Sequence, residues 1–184
     1  MRNRFTRILL FAAFVLLLGY LFNILFVQFS GDGKDTPEEA LPKDADYEWI
    51  EGPKTEKEHR YFFLSNSQYF GTGVVTKNLR GWSTGKGTYA QLPNPLEENA
   101  IKSAHSDSKI LYGLIKPNGE ITVKVNGEKA DLVDFSSLDE EVLQLYNVQG
   151  YSIWYIDLSK LEDQEKYNIQ VLDENNNVLS ELSV

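Results

Sequence analysis

Ile110-Leu-Tyr-Gly-Leu-Ile-Lys116, Pro117-Asn-Gly119, Glu120-Ile-Thr-Val-Lys-Val125, Asn126-Gly127 and the run from Lys129 to Phe135 decide the fold. The first run is continuously apolar and bounded by turn residues, the mark of a short buried strand. Glu120 to Val125 alternates with period two, as a half-buried strand does. Asn126-Gly127 suits a type I′ turn, in which both central residues take positive φ. The segment after it reads as the return strand. Together the three predict a meander.

Working outward, Tyr151-Ser-Ile-Trp-Tyr-Ile-Asp-Leu158 has almost no polar side and predicts a central strand. Both of its faces are apolar, so one needs cover from another layer or a partner. Tyr167 to Leu172 alternates cleanly, Asp173 to Asn177 is a turn, and Val178 to Leu182 closes the chain as an edge strand. Upstream, Arg60–Leu64, Gln68–Thr76 and the glycine-interrupted Gly81–Leu92 read as strands. Ser65–Ser67 and Lys77-Asn78 mark the turns between them. Pro93-Asn94-Pro95 breaks the chain, Leu96–Ala104 suits one or two helical turns, and His105–Ser108 reads as a loop. Ser137 with Glu140 three residues on suggests an N-cap and a short helix over 138–145. Ser159–Gln164 is a turn region. Eight or nine short strands with regular turn signals predict a mainly β chain. The expected architecture is an N-terminal transmembrane helix followed by an antiparallel, immunoglobulin-like β-sandwich. The immunoglobulin Cys–Trp–Cys pattern is absent, so the likeness is one of architecture.

Ile8 to Phe29 is a 22-residue apolar run without a charge, preceded by Arg2, Arg4 and Arg7. A bilayer core of about 30 Å needs roughly 20 such residues. The three arginines predict a cytoplasmic N-tail and an exported remainder. A cleaved signal peptide is the competing reading, but its apolar region is usually shorter and ends at an A-x-A-like site. The only small-x-small candidate for a cleavage site after the run is Gly31-Asp32-Gly33, so the run reads as an uncleaved, single-pass signal anchor. Residues 1–7 are then the cytoplasmic tail, 8–29 the anchor, 30–57 a flexible extracytoplasmic tether and 58–184 the β ectodomain. The tether reading rests on Gly31, Gly33, Pro37, Pro42 and Pro53 among many charges. Tyr47, Trp49 and Ile50 interrupt it as a candidate first strand. A split of the ectodomain into a Gly-rich hairpin layer (58–95) and a compact sandwich (109–184) also fits.

The 184 residues carry 18 Lys and Arg against 27 Asp and Glu. The segment after residue 30 holds 15 of the bases and all 27 acids, a net of −12. Such a surface repels nucleic acid, whose recognition needs clustered Lys and Arg. With no cysteine, the domain has neither disulfides nor thiol, zinc–thiolate or redox chemistry.

Thr76-Lys-Asn-Leu-Arg-Gly-Trp82, Ile110–Lys116 with Ile121–Val125, and Trp154–Leu158 with Tyr167–Asp173 occur in an order that carries a resemblance. Over about 100 residues the chain resembles small exported, membrane-anchored Gram-positive proteins of unknown function. The resemblance implies a β domain at the cell surface and assigns no site residue.

Catalytic patterns fail on their spacing. Gly81-Trp-Ser-Thr-Gly-Lys-Gly87 echoes a phosphate loop, but its glycines are one residue too close and Lys86 precedes a glycine. Asp173–Asn177 echoes the start of a calcium loop, with Val178 where glycine is required. His59 and His105 stand 46 residues apart in polar contexts, as exposed histidines do. His105, Ser106 and Asp107 assemble a triad on paper only, without a nucleophile elbow. Asp139-Glu140-Glu141 suits the electropositive start of a helix better than a glycosidase pair. No catalytic, cofactor-binding or metal residue is assigned.

The expected function is therefore non-catalytic binding at the cell envelope, with a protein partner. The alternatives are a domain that binds or modifies wall polymer, and an accessory subunit of a membrane complex that acts through its transmembrane helix. Trp82, Lys86, Tyr89 and Trp154 are the expected interaction surface, with Trp82 as the exposed aromatic.

Overall fold

The computed structural model describes residues 2–43, 46–93, 95–162 and 165–184, with the backbone alone at 2, 3, 27 and 28. Asn94 of the expected proline break, Gln164 of the expected turn and the Arg2 side chain lie outside the described residues. The chain divides into two compact units. One holds Met1–Pro42, Lys54–His59 and Val75–Gly85; the other holds Lys43–Pro53, Arg60–Val74 and Lys86–Val184. Its strands form three antiparallel four-stranded sheets.

In the first unit, helix α1 runs from Arg2 to Gln28. Its Arg4–Phe26 segment has a mean hydropathy of 2.6 and none of it is buried, so it is long and apolar enough to cross a membrane. The residues after it carry regular structure where composition predicts a flexible tether. Lys34 and Trp82 exchange backbone hydrogen bonds of 2.8 Å in each direction. The Thr84 hydroxyl donates to the Ala40 carbonyl at the end of a 3-10 turn over Glu38–Ala40. A Cβ on Gly81, which has φ +124°, would lie 2.4 Å from the Lys34 carbonyl oxygen. Only glycine lets the two backbones approach so closely.

The second unit is built on a sheet that has no water-facing side. Strand β6 (Ile110–Ile115) is buried at every residue, and β10 (Ser152–Asp157) at all but Tyr155 and Asp157. They pair antiparallel, with Trp154 opposite Gly113. The flanking strands are β5 (His105–Ser106) and β9 (Asp131–Asp134). One face of this sheet presents Ile110, Tyr112, Leu114 and Ile153 to a core shared with Ile50, Phe62, Leu64 and Phe70. Those partners belong to the sheet β1 (Tyr47–Lys54), β2 (Glu58–Ser65), β3 (Tyr69–Asn78) and β4 (Gly81–Gln91), in sequence order. The opposite face presents Leu111, Ile115, Trp154 and Ile156 to a second core with Val123, Val125, Ile169 and Val171. These come from the sheet β12 (Val178–Ser183), β11 (Asn168–Asp173), β7 (Ile121–Val125) and β8 (Glu128–Lys129). The fold is thus mainly antiparallel β, with layers stacked on both faces of the middle sheet. The cover expected for the two apolar faces of 151–158 is supplied by the chain itself.

The meander is corrected. β6 and β7 lie in different sheets, because a strand apolar on both faces fits only the middle layer, whereas alternating β7 suits an outer one. The turn at Pro117–Gly119 carries the chain between layers. Asn126 and Gly127 do take φ of +51° and +89°, and join β7 to β8 as a two-residue hairpin. The return segment then changes sheets at buried Ala130, with β8 pairing β7 and β9 pairing β10. The helical turns expected over 96–104 are also absent. Leu96 enters the first core and Ile101 the second, and this extended span is tied by Asn99, whose backbone N–H and side chain bond Lys116 and Asn118. His105–Ser106 is strand rather than loop. Helix α2 (Glu140–Tyr146) is present, but Asp139 occupies its N-cap position instead of Ser137. Trp154 has no exposed surface. Replacing it with alanine should lower unfolding stability by about 3–5 kcal/mol, measured by urea titration of the detergent-solubilised chain followed by near-ultraviolet circular dichroism.

Candidate binding face

Alternation along β2 divides its side chains cleanly. Phe62 and Leu64 enter the first core, while Tyr61 and Phe63 meet a separate aromatic group with Tyr47 and Trp49 of β1. The Tyr47 and Trp49 rings stack with centroids 5.3 Å apart. Both meet Phe63 edge-on at 5.2 Å, and Trp49 meets Tyr61 edge-on at 6.4 Å. Such offset and edge contacts are favourable beyond the apolar area they bury. A Cβ on Gly71 of β3 would fall 2.6 Å from the Phe63 ring and 2.3 Å from the Thr88 carbonyl oxygen. Glycine there leaves room for the ring. Tyr69 then meets Tyr89 of β4 edge-on at 5.6 Å. A groove of about 280 Å³ opens among these residues, lined by Tyr47, Phe63, Ser65, Asn66, Tyr69 and Tyr89. Its end is shaped by a tight turn in which Asn66 and Ser67 both have positive φ. Tyr89 is 71% exposed and Tyr47, Trp49 and Tyr69 are half-buried, so the groove offers aromatic surface and phenolic hydroxyls.

Of the four residues expected to form an interaction surface, Tyr89 lies in this groove and Lys86 is exposed on β4. Trp82 and Trp154 are corrected. Trp154 fills the second core because its strand is central. Trp82 is only 6% exposed, being paired to Lys34 through its backbone and packed under His59, whose ring centroid is 4.7 Å away. The reading from sequence missed Tyr69 and placed Tyr47 and Trp49 only in a candidate first strand. The available signal was their spacing, with aromatics two apart in Tyr47-x-Trp49 and Tyr61-x-Phe63.

A buried ion pair lies on the other side of β2. Arg60 Nη1 donates to an Asp107 carboxylate oxygen, and the two side chains are 4% and 8% exposed. Arg60 also donates to the Thr72 hydroxyl at 3.0 Å. Burial by itself would raise the Asp107 pKa. The Ile110 N–H, the Arg60 guanidinium and the Lys109 N–H outweigh it and hold the carboxyl below its usual range. These contacts occupy the carboxylate that the paper triad required. His105 Nε2 instead meets the Ser103 hydroxyl at 3.1 Å, and Ser106 Oγ accepts from the Ser108 N–H. Burial lowers the His105 pKa. Asp173 likewise spends its carboxylate on its own turn, accepting from the backbone N–H groups of Asn175 and Asn177 and from the Asn177 amide. Among the described residues no group of three or more His, Asp and Glu is placed to hold a metal.

Compared with known proteins, the chain matches no family model, no curated protein and no solved structure.

Asp107→Asn should destabilise the fold by about 3–5 kcal/mol at pH 7, because it leaves the Arg60 charge buried and unpaired. The folded carboxyl has a lowered pKa, so its contribution is full above the unfolded value of 3.8 and is lost as pH falls through the folded value. The urea midpoints of wild type and variant should therefore stay apart down to about pH 4 and converge only as the pH falls further, through the folded value.

Proposed function

We propose that this chain is a single-pass membrane protein whose exported β unit is a non-catalytic binding module at the cell envelope. Three features support the anchor: the length of α1, its apolar surface on every side, and the arginines Arg4 and Arg7 at its start. The positive-inside rule favours a cytoplasmic N-terminus for such a segment. The resemblance to exported, membrane-anchored Gram-positive proteins points the same way.

The observation that carries the binding role is the aromatic groove of the first sheet. Aromatic residues that remain accessible at a protein surface are the side chains most enriched at recognition hot spots. A protein partner is the first reading, since Tyr47, Trp49, Tyr69 and Tyr89 combine apolar area with few rotatable bonds. A neutral wall glycan is the second. The observation favouring it is the set of phenol hydroxyls beside Ser65 and Asn66 along one narrow groove, which match the alternating apolar faces and hydroxyl edges of sugars.

Crosslinking capture from native membranes should recover a defined partner with the full chain and with a version carrying an unrelated apolar helix. Tyr89→Ala combined with Tyr69→Ala should reduce capture at least tenfold, a change of about 1.4 kcal/mol. Capture that survives this double change counts against the groove. Loss on exchanging the helix alone would assign the contact to α1. Co-sedimentation with purified wall glycan, abolished by the same double change, would select the second reading.

A further inference from the structure

The membrane-proximal unit contains a second cleft, of about 700 Å³, whose chemistry differs from that of the aromatic groove. Its walls include Lys57 and Lys77, the His59 and Trp82 rings, and the aliphatic side chain of Leu79. The Lys77 N–H of β3 donates to the Lys57 carbonyl at 2.8 Å, which makes the two lysines neighbours where the chain enters β2. Lys77 Nζ sits 5.6 Å from the centre of the Trp82 ring. Glu56 also lines the cleft and leaves the two lysines in excess.

The hairpin that carries Lys77 and Leu79 is bonded to the end of α1. Asn78 Nδ2 donates to the Ser30 carbonyl at 2.6 Å, and Arg80 Nη1 donates to the Phe29 carbonyl at 3.3 Å. Asn78 Oδ1 accepts from the Arg80 N–H at 2.9 Å, which shapes the turn between them. Leu79 at that turn is 69% exposed. When α1 spans a bilayer, its last residues lie at the membrane–water interface. A turn bonded to them lies at the same depth.

Charge follows the same division. Outside α1, the residues of this unit carry five bases against six acids, whereas the other unit carries 10 against 21. The acidity that repels anionic lipid is thus concentrated in the unit that lacks the helix. A nearly neutral segment with an exposed leucine and paired lysines is suited to the headgroup region, where each Lys or Arg gains from anionic lipid.

We propose that this cleft binds the phosphodiester headgroup of a membrane lipid, with Lys57 and Lys77 on the phosphate and Leu79 at the glycerol–acyl boundary. The inference rests on α1 spanning a membrane and is independent of the ligand of the aromatic groove.

The chain has no cysteine, so Leu79→Cys gives a single site for an environment-sensitive fluorophore. The full-length labelled protein is reconstituted in vesicles of phosphatidylcholine with or without phosphatidylglycerol. The expected result is strong quenching by lipids carrying a spin label near the glycerol, little quenching by aqueous iodide, and a blue shift that grows with phosphatidylglycerol content. In native mass spectrometry, Lys57→Gln with Lys77→Gln should retain about tenfold less phosphatidylglycerol than wild type. A protein that fails to float with the vesicles overturns the anchor reading, and this inference with it. A protein that floats but keeps its position-79 label open to iodide overturns the headgroup site alone. Lysine-dependent binding of inorganic phosphate with an iodide-accessible label would reassign the cleft to a soluble anion and overturn the lipid proposal. If the double lysine variant fails to fold, the label on the otherwise native chain still decides.

Discussion

Burial of both faces of the β6–β10 pair is the constraint on which the rest of the structure depends. Ile110-Leu-Tyr-Gly-Leu-Ile115 has no polar side chain except the tyrosine hydroxyl, which bonds Thr88. A strand of this kind is stable only between two layers. The chain meets that demand by placing a sheet on each side, and so it acquires two cores of different character. The first is rich in aromatics, with Tyr112 in contact with both Phe62 and Phe70, whereas the second is mostly Ile and Val around Trp154.

The layering also explains the buried ion pair. β2 supplies Phe62 and Leu64 to the first core, and its alternation places Arg60 on the same side. A guanidinium so deeply buried requires a partner with further hydrogen bonds. Asp107 supplies this, since the turn leading into β6 gives its carboxylate two backbone N–H donors as well. The pair joins the first sheet to the approach of the middle one. What resembles a fragment of a catalytic triad in sequence is thus an internal tie.

The aromatic groove is a consequence of the same alternation. Once Ile50, Phe62, Leu64 and Phe70 face inward, Tyr47, Trp49, Tyr61, Phe63 and Tyr69 face away from that core. Tyr61 and Phe63 are covered by their neighbours, and the remaining rings stay accessible. The unit that carries α1 solves a different problem. There the chain leaving α1 is held by backbone pairing of Lys34 with Trp82, by side chains at Asn78 and Arg80, and by a glycine at 81 that admits the close approach.

Local signals sufficed for an N-terminal helix long and apolar enough to cross a membrane, because its 22-residue run carries no charge, and for most strands and turns. Asn126-Gly127 specifies its hairpin through backbone geometry alone, and the two apolar faces of residues 151–158 already require cover on each side. Which sheet each strand joins was not local. β6 and β7 are adjacent in sequence yet separate in space, because pairing depends on what each face must bury. The exposure of aromatic residues was equally a tertiary matter. Trp82, Tyr89 and Trp154 all lie in strand-like sequence, and only the positions of neighbouring segments bury two of them and leave Tyr89 in water. The groove and the lysine cleft arise from contacts between segments far apart in the chain. Sequence alone therefore determined the elements and the alternation of their faces, while packing decided which faces remained available to bind.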